Sequence, residues 1–218
     1  MAEPAPAISR GLLWAEFAAL YAGAPLVIAL FLPGRLLFAA LALFSLAGLG
    51  LLWRTGGFRW QGLVNGWSRL PWREVLAIAL ATLLVGLAIL WFSRPNAIFQ
   101  ILRQRPEFLP VIWMLYPILS ALPQELIFRP LFFHRYGPLL PAGQGAIALN
   151  AAVFSFAHLM YWSWVVAALT FAGGWVFARA YLRHGFPSAW VLHAVAGNVL
   201  FAVGMGAYFY TGNVVRPF

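Results

Sequence analysis

Long apolar runs alternate with short segments that contain arginine, proline or glycine along this chain of 218 residues. A helix that crosses the hydrocarbon core of a bilayer needs about 20 mostly apolar residues, because ~30 Å is covered at a rise of ~1.5 Å per residue. The pattern therefore predicts an all-α, polytopic transmembrane helix bundle of about seven spans, within limits of six to eight. The predicted spans are residues 12–32, 36–53, 75–92, 108–133, 146–161, 164–182 and 188–210. The chain shows no obvious repeat, which predicts a single integral membrane domain over residues 1–218.

The composition indicates that lipid is the main solvent. Hydrophobic residues make up 63% of the chain and charged residues 9%, whereas soluble domains hold roughly 25% charged residues. All 14 basic residues are arginine, and most lie singly or in pairs beside the apolar runs, as is typical of side chains that face anionic headgroups. This placement argues against a nucleic-acid-binding stripe and makes the lipid bilayer the predicted partner.

The placement of arginine also predicts an orientation. In a seven-span bundle, the N-terminus, the 54–73 segment, the turn after Phe133 and the turn near Arg183 share one side and carry most of the arginines. Because short arginine-rich loops face the cytoplasm, we expect a cytoplasmic N-terminus, in a bacterial inner membrane. The 94–107 connector, with three arginines, lies on the other side. The 54–73 segment is predicted to be an interfacial loop or a short amphipathic helix.

One carboxylate lies deep in an apolar run. Of the five acidic residues, Glu3, Glu74 and Glu107 lie outside the spans or at their edges, and Glu16 is near the start of the first span. Only Glu125 is embedded, and ionisable groups at membrane depth are costly and usually functional. The chain has no cysteine, which excludes a thiolate nucleophile and a Cys-ligated metal.

Glu125 is followed by an arginine at helical spacing. Glu125 and Arg129 stand at positions i and i+4, so they share one helix face and each ion has a partner. Pro123, with Ser120 upstream as a cap, predicts a helix that restarts here and leaves Gln124 and Glu125 near its N-terminus. A structural ion pair and a functional site are both consistent with these residues taken alone.

Two histidines lie in other apolar runs. His158 follows Asn150 and Phe154 at intervals of four, and His193 precedes Asn198 in the last run. A lone histidine on an apolar helix is more often a hydrogen-bonded core residue than a catalyst. Two of them, together with an embedded Glu-Arg pair and an intramembrane asparagine, favour a catalytic site.

These residues form an ordered set of motifs: Gln-Glu-x-x-x-Arg at 124–129, Phe-x-x-x-His at 154–158, and His193 followed by Asn198. The set resembles the CAAX endopeptidase and bacteriocin-processing (CPBP, or Abi) family of glutamic-type intramembrane proteases. The pattern of that family is Glu-Glu-x-x-x-Arg, Phe-x-x-x-His and His-x-x-x-Asn. The resemblance covers about residues 117–200 and implies a protease-like core at about residues 108–210.

The resemblance implies a role for each residue. Glu125 with His158 would activate a water as general base. His193 and Asn198 would donate hydrogen bonds to the developing oxyanion. Arg129 would hold Glu125 in position, and Gln124 would orient the water or the substrate carbonyl.

The chain departs from the family pattern at two positions. Gln124 replaces the first glutamate, which the family is generally taken to use as its base, and an amide cannot take a proton from water. Asn198 follows His193 by five residues instead of four, which turns it about 140° away on a regular α-helix. Gly197 stands at the expected position, where a π-bulge would restore the alignment.

The predicted function is endopeptidase cleavage of a peptide, or of a membrane-associated or lipid-anchored protein tail, without a cofactor. A zinc ion bound by Glu125, His158 and His193 is the metal alternative. The non-enzymatic alternatives are an inactive scaffold or bacteriocin-immunity-type protein that binds a peptide, and a proton-coupled transporter. The transporter is disfavoured because the chain shows no evident inverted repeat.

Overall fold

The computed structural model describes residues 9–210 and residue 214. Within these residues every regular element is a helix, which confirms the all-α fold class. Six of the helices are long and apolar enough to cross a membrane. They are α1 (Arg10–Phe31), α2 (Gly34–Trp53), α3 (Trp72–Ser93), α4 (Phe108–Arg135), α6 (Trp164–His184) and α7 (Phe186–Val203), with a shorter helix α5 (Gln144–Phe156) between α4 and α6.

The short α5 corresponds to the fifth predicted span. Its 13 residues cover about 20 Å at ~1.5 Å per residue, which is less than the ~30 Å of a hydrocarbon core. A 3₁₀ turn at Leu159–Tyr161 follows it and contacts the C-terminal part of α1, whereas the connection before α5 contacts the N-terminal part of α1. The helix therefore runs from one end of the bundle towards the other, although it is too short to count as a full span.

Segments rich in arginine meet at one end of the bundle. The ring of Phe58 lies 5.2 Å from the ring of His134 at the end of α4. The Nε2 atom of His184 lies 3.3 Å from Oε1 of Glu74 at the start of α3. The connection between α2 and α3 contains two short 3₁₀ turns and no α-helix, so of the two predicted forms it is the loop. Its place at the membrane interface stays a prediction. That this end faces the cytoplasm stays a prediction.

A buried ion pair joins α1 to the end of α4. Oε2 of Glu16 accepts from Nε of Arg135 at 2.8 Å, and Oε1 accepts from Nη2 at 2.9 Å. Arg135 is 5% exposed and also donates to Oγ1 of Thr55 at 2.9 Å. One and a half turns further along α1, the hydroxyl of Tyr21 donates to the carbonyl of Ile127 at 2.7 Å. These contacts fix the first two helices against α4, the helix that carries Glu125.

The α4 helix is continuous and contains two π-helical segments. The predicted helix restart at Pro123 is wrong, because the chain stays helical through this proline. A π turn has wider i→i+5 bonding, which accommodates residues that interrupt regular α-helical bonding, and it is frequent at functional sites. Glu125 lies in the short α-helical piece between the two π segments. In order, α4 consists of Phe108–Tyr116 (α), Pro117–Ala121 (π), Leu122–Leu126 (α) and Ile127–Arg135 (π).

Candidate active site

The centre of the site is an ion pair within α4. Glu125 and Arg129 are both 0% exposed. Nε of Arg129 donates to Oε2 of Glu125 at 2.9 Å, and Nη2 donates to Oε1 at 3.3 Å. The guanidinium carbon of Arg129 also lies 5.1 Å from the ring centroid of Phe154 and 6.0 Å from that of Phe177. The cation is therefore neutralised by a two-point carboxylate contact and enclosed by aromatic rings.

Asn150 on α5 accepts a further hydrogen bond from the guanidinium of Arg129. Its Oδ1 accepts a hydrogen bond from Nη1 of Arg129, and its Nδ2 donates to the carbonyl of Phe128 at 2.6 Å. Asn150 is 0% exposed. The predicted site did not include it, although it precedes Phe154 by one turn on the face of α5 that leads to His158. Asn150 connects the ion pair of α4 to a second helix.

His193 on α7 contacts the other side of the carboxylate. Its Nδ1 lies 2.9 Å from Oε1 of Glu125. Since a carboxylate held by Arg129 only accepts hydrogen bonds, Nδ1 carries the proton and donates it. The net charge of Glu125 and Arg129 is already zero, so a neutral imidazole adds no buried charge. Nε2 of this neutral ring accepts from the hydroxyl of Tyr116 at 3.1 Å. A chain of hydrogen bonds thus runs from Tyr116 through His193 to Glu125.

His158 lies in the same aromatic cluster without touching Glu125 through a hydrogen bond. Its Nδ1 donates to the carbonyl of Phe154 at 2.7 Å, which leaves Nε2 as a free acceptor. The Phe154 ring lies 4.9 Å from the ring of His158 and 5.6 Å from the ring of His193.

Asn198 makes its contacts away from this cluster. The α7 helix is α-helical from Phe186 to Val203, so the suggested π-bulge at Gly197 does not form. The side chain of Asn198 instead donates from Nδ2 to the carbonyl of Trp113 at 3.3 Å, and Nε1 of Trp113 donates to the carbonyl of Asn198 at 3.1 Å. These two bonds join α7 to α4, and neither reaches His193 or Glu125.

Gln124 also points away from the carboxylate beside it. Its Nε2 donates to Oγ of Ser120 at 3.0 Å, one turn earlier in α4. Its Oε1 is buried and has no hydrogen-bond partner in the described part of the chain. Ser120 is therefore a partner of Gln124 and caps no helix.

Comparison with known proteins finds a family that part of the chain resembles. Residues 106–211 match the family model described as Type II CAAX prenyl endopeptidase Rce1-like. The matched part is just under half of the chain. No curated protein and no solved structure matches the chain. The match confirms the resemblance to CPBP and CAAX proteases, and the matched residues, hereafter the Rce1-like half, contain every residue of the cluster around Glu125.

The Rce1-like half does not assemble the zinc site that was considered as an alternative. Glu125 and His193 form a pair, but the third neighbour of the carboxylate is Arg129, a cation. Across residues 9–210 and 214, no three His, Cys, Asp or Glu side chains are grouped so as to hold a metal ion. The catalytic site without a cofactor stays a prediction.

Two cavities in the described residues lie away from Glu125. One of about 290 Å³ lies against the turn between α6 and α7. Another of about 370 Å³ lies between the end of α1 and the turn after α5. Neither is lined by Glu125, His158 or His193, and His193 is only 5% exposed. Glu125 itself is 0% exposed, so its carboxylate has no contact with solvent in this structure.

Proposed function

We propose that this chain is an intramembrane endopeptidase in which Glu125 and His193 together activate a water molecule. The observation that supports it is the 2.9 Å contact between Oε1 of Glu125 and Nδ1 of His193, buried within two apolar helices of a protease-family chain. A carboxylate that holds Nδ1–H fixes the tautomer in which Nε2 is a base, and it stabilises the imidazolium that forms. The geometry thus favours His193 as the proton acceptor and Glu125 as its partner.

The reaction can be written with all its atoms. The oxygen of a water attacks the carbonyl carbon of the scissile peptide bond, and the water proton passes to Nε2 of His193. The carbonyl oxygen becomes an oxyanion. When it collapses, the carbon–nitrogen bond breaks and Nε2–H gives its proton to the leaving amine, which yields one carboxylic acid and one amine. The Nε2 atom of His158 is proposed to accept a hydrogen bond from the second O–H of the attacking water, which stays on the oxygen and ends in the carboxylic acid.

The proposed substrate is a peptide or a lipid-anchored protein tail that enters from the bilayer. The family description names prenylated CAAX tails, so a C-terminal peptide with a farnesylated cysteine is the first substrate to test. An unprenylated copy of the same peptide and bacteriocin leader peptides are the comparison substrates. Cleavage is measured by mass spectrometry of the products, with the purified protein reconstituted in liposomes.

Two variants and one control test the catalytic pair. His193→Gln removes the base and leaves the Glu125–Arg129 pair intact, and we expect turnover to fall by about 10³–10⁴-fold. We expect the turnover of Glu125→Gln to fall by a similar factor. Because this variant leaves Arg129 without a counter-ion, its folding is checked by gel filtration and tryptophan fluorescence. Glu107→Gln is the matched control, since Glu107 is exposed outside the spans. Full activity in His193→Gln would exclude this mechanism.

The peptide-binding scaffold considered from the sequence makes a different prediction in the same assay. A scaffold would bind the farnesylated peptide in liposomes but release it uncut, and His193→Gln would not change the products. Measurement of binding and turnover on the same preparation therefore separates the two functions.

A further inference from the structure

Tyr116 is the residue that faces the catalytic nitrogen. Its hydroxyl lies 3.1 Å from Nε2 of His193, on the side of the imidazole opposite Glu125. No motif in the sequence singles it out, and the proposed reaction has so far given it no role. A substrate carbonyl and its attacking water must enter between this hydroxyl and Nε2, because Nε2 is where the water proton is taken up.

Gly197 gives Tyr116 its position. A Cβ atom on Gly197 would lie 2.0 Å from Cε1, 2.3 Å from Cζ and 2.4 Å from the hydroxyl oxygen of Tyr116. These distances are far inside van der Waals contact, so the ring rests on α7 only because residue 197 has no side chain. The ring also packs edge-on against Phe201, one turn further along α7, with centroids 5.5 Å apart. The phenol is therefore held next to His193 by α7 itself.

Asn198, the residue expected to donate to the oxyanion, is engaged elsewhere. Its side-chain nitrogen donates to the carbonyl of Trp113, and the regular α-helix turns it away from His193. Among the described residues, the hydroxyl of Tyr116 is the one side-chain O–H group that hydrogen-bonds Nε2 of His193.

We propose that Tyr116 is a catalytic residue of this endopeptidase, whose hydroxyl donates the hydrogen bond that stabilises the oxyanion. This inference rests on the proposed function. Without substrate the hydroxyl donates to Nε2, and when the substrate enters it donates to the carbonyl oxygen instead. As water attacks and its proton moves to Nε2, negative charge develops on that oxygen, and the phenol O–H bond stays intact throughout the step. A donor so placed acts on the transition state more than on the bound substrate.

Tyr116→Phe is the decisive variant, because it keeps the ring on Gly197 and removes only the hydroxyl. We expect kcat to fall by about 10²–10³-fold, the cost of one oxyanion donor, with little change in KM. Asn198→Ala should change kcat by less than about threefold, since Asn198 has no donor role in this mechanism. Tyr208→Phe is the matched control, because it also removes a tyrosine hydrogen bond, to Ser93 at the end of α3, which does not involve His193 or Glu125.

A spectroscopic measurement separates catalysis from a purely structural contact. The ¹⁵N signal of His193 Nε2 should shift in Tyr116→Phe and stay unchanged in Tyr208→Phe, which shows that the hydrogen bond exists. A kcat of Tyr116→Phe within threefold of the wild type would overturn the role of Tyr116 while leaving the proposed function in place. Absence of any cleavage by the wild-type protein on all three peptide classes would overturn both. A rise in KM with unchanged kcat would also overturn the oxyanion role.

Discussion

The interior ion pair allows a quantitative test by the replacement Arg129→Met. Methionine fills much of the arginine volume but leaves the carboxylate of Glu125, which is 0% exposed, without its counter-ion. Removing one partner of a buried pair costs about 3–5 kcal/mol, since an uncompensated charge stays in a medium of low polarity. Asn150 loses a partner for Oδ1 as well. For a protein of this length we expect the melting temperature to fall by about 6–20 °C, at roughly 2–4 °C for each kcal/mol.

The double variant Glu125→Gln with Arg129→Met separates charge from packing. Replacing both members of a buried pair by neutral groups is often close to neutral for stability, so the double variant should recover at least half of the loss. The assay is thermal unfolding in detergent micelles, followed by the fluorescence of the 11 tryptophans. Arg183→Met is the control, because Arg183 is exposed, and should change stability by less than about 0.5 kcal/mol. The reasoning fails if the double variant is no more stable than Arg129→Met, since Arg129 would then stabilise by packing on Phe154 and Phe177.

Two further predictions follow from the same contacts. Gly197→Ala should lower kcat as Tyr116→Phe does, because the new Cβ displaces the ring. Its melting temperature should fall by no more than about 8 °C, since a gain of about 1 kcal/mol in helix propensity opposes an overpacking cost of about 1–3 kcal/mol. An unchanged kcat would show that the ring keeps its place. Treatment with EDTA or 1,10-phenanthroline should leave cleavage unchanged, and a loss of activity restored by added zinc would revive the metal alternative.

Hydropathy was sufficient to predict the helical bundle, because a span is a local property of some 20 residues. It was least informative about α5, where an apolar run beginning at residue 146 predicted a full span. The α-helix ends at Phe156, and the chain then passes through a 3₁₀ turn. The apolar run is therefore longer than the helix that crosses the bundle. The restart predicted at Pro123 failed for a related reason, since bundle packing supports π turns that local propensity does not foresee.

The motifs were enough to identify Glu125, Arg129 and His193 as candidates, and the structure brings these three together. The contact residues Tyr116 and Asn150 were missed because a tyrosine and an asparagine in apolar runs have many ordinary uses. Tyr116 contacts His193, which is 77 positions away in the sequence, and Asn150 contacts Arg129, which is 21 positions away. No spacing rule predicts contacts at such separations. Gln124 and the five-residue interval before Asn198 were the two signs in the sequence that this site differs from the family pattern.

The bridge between Glu16 and Arg135 bears on how this protein can be dissected. The family match begins at residue 106, which invites the excision of a smaller fragment for expression. Such a fragment would keep Arg135 and lose both of its side-chain acceptors, Glu16 and Thr55, so the guanidinium would lose its carboxylate partner. It would also remove the hydrogen bond from the Tyr21 hydroxyl to the carbonyl of Ile127, two residues beyond Glu125. A recognisable sequence boundary is therefore no guide to an autonomous folding unit here, and biochemical work is best done on the whole polypeptide.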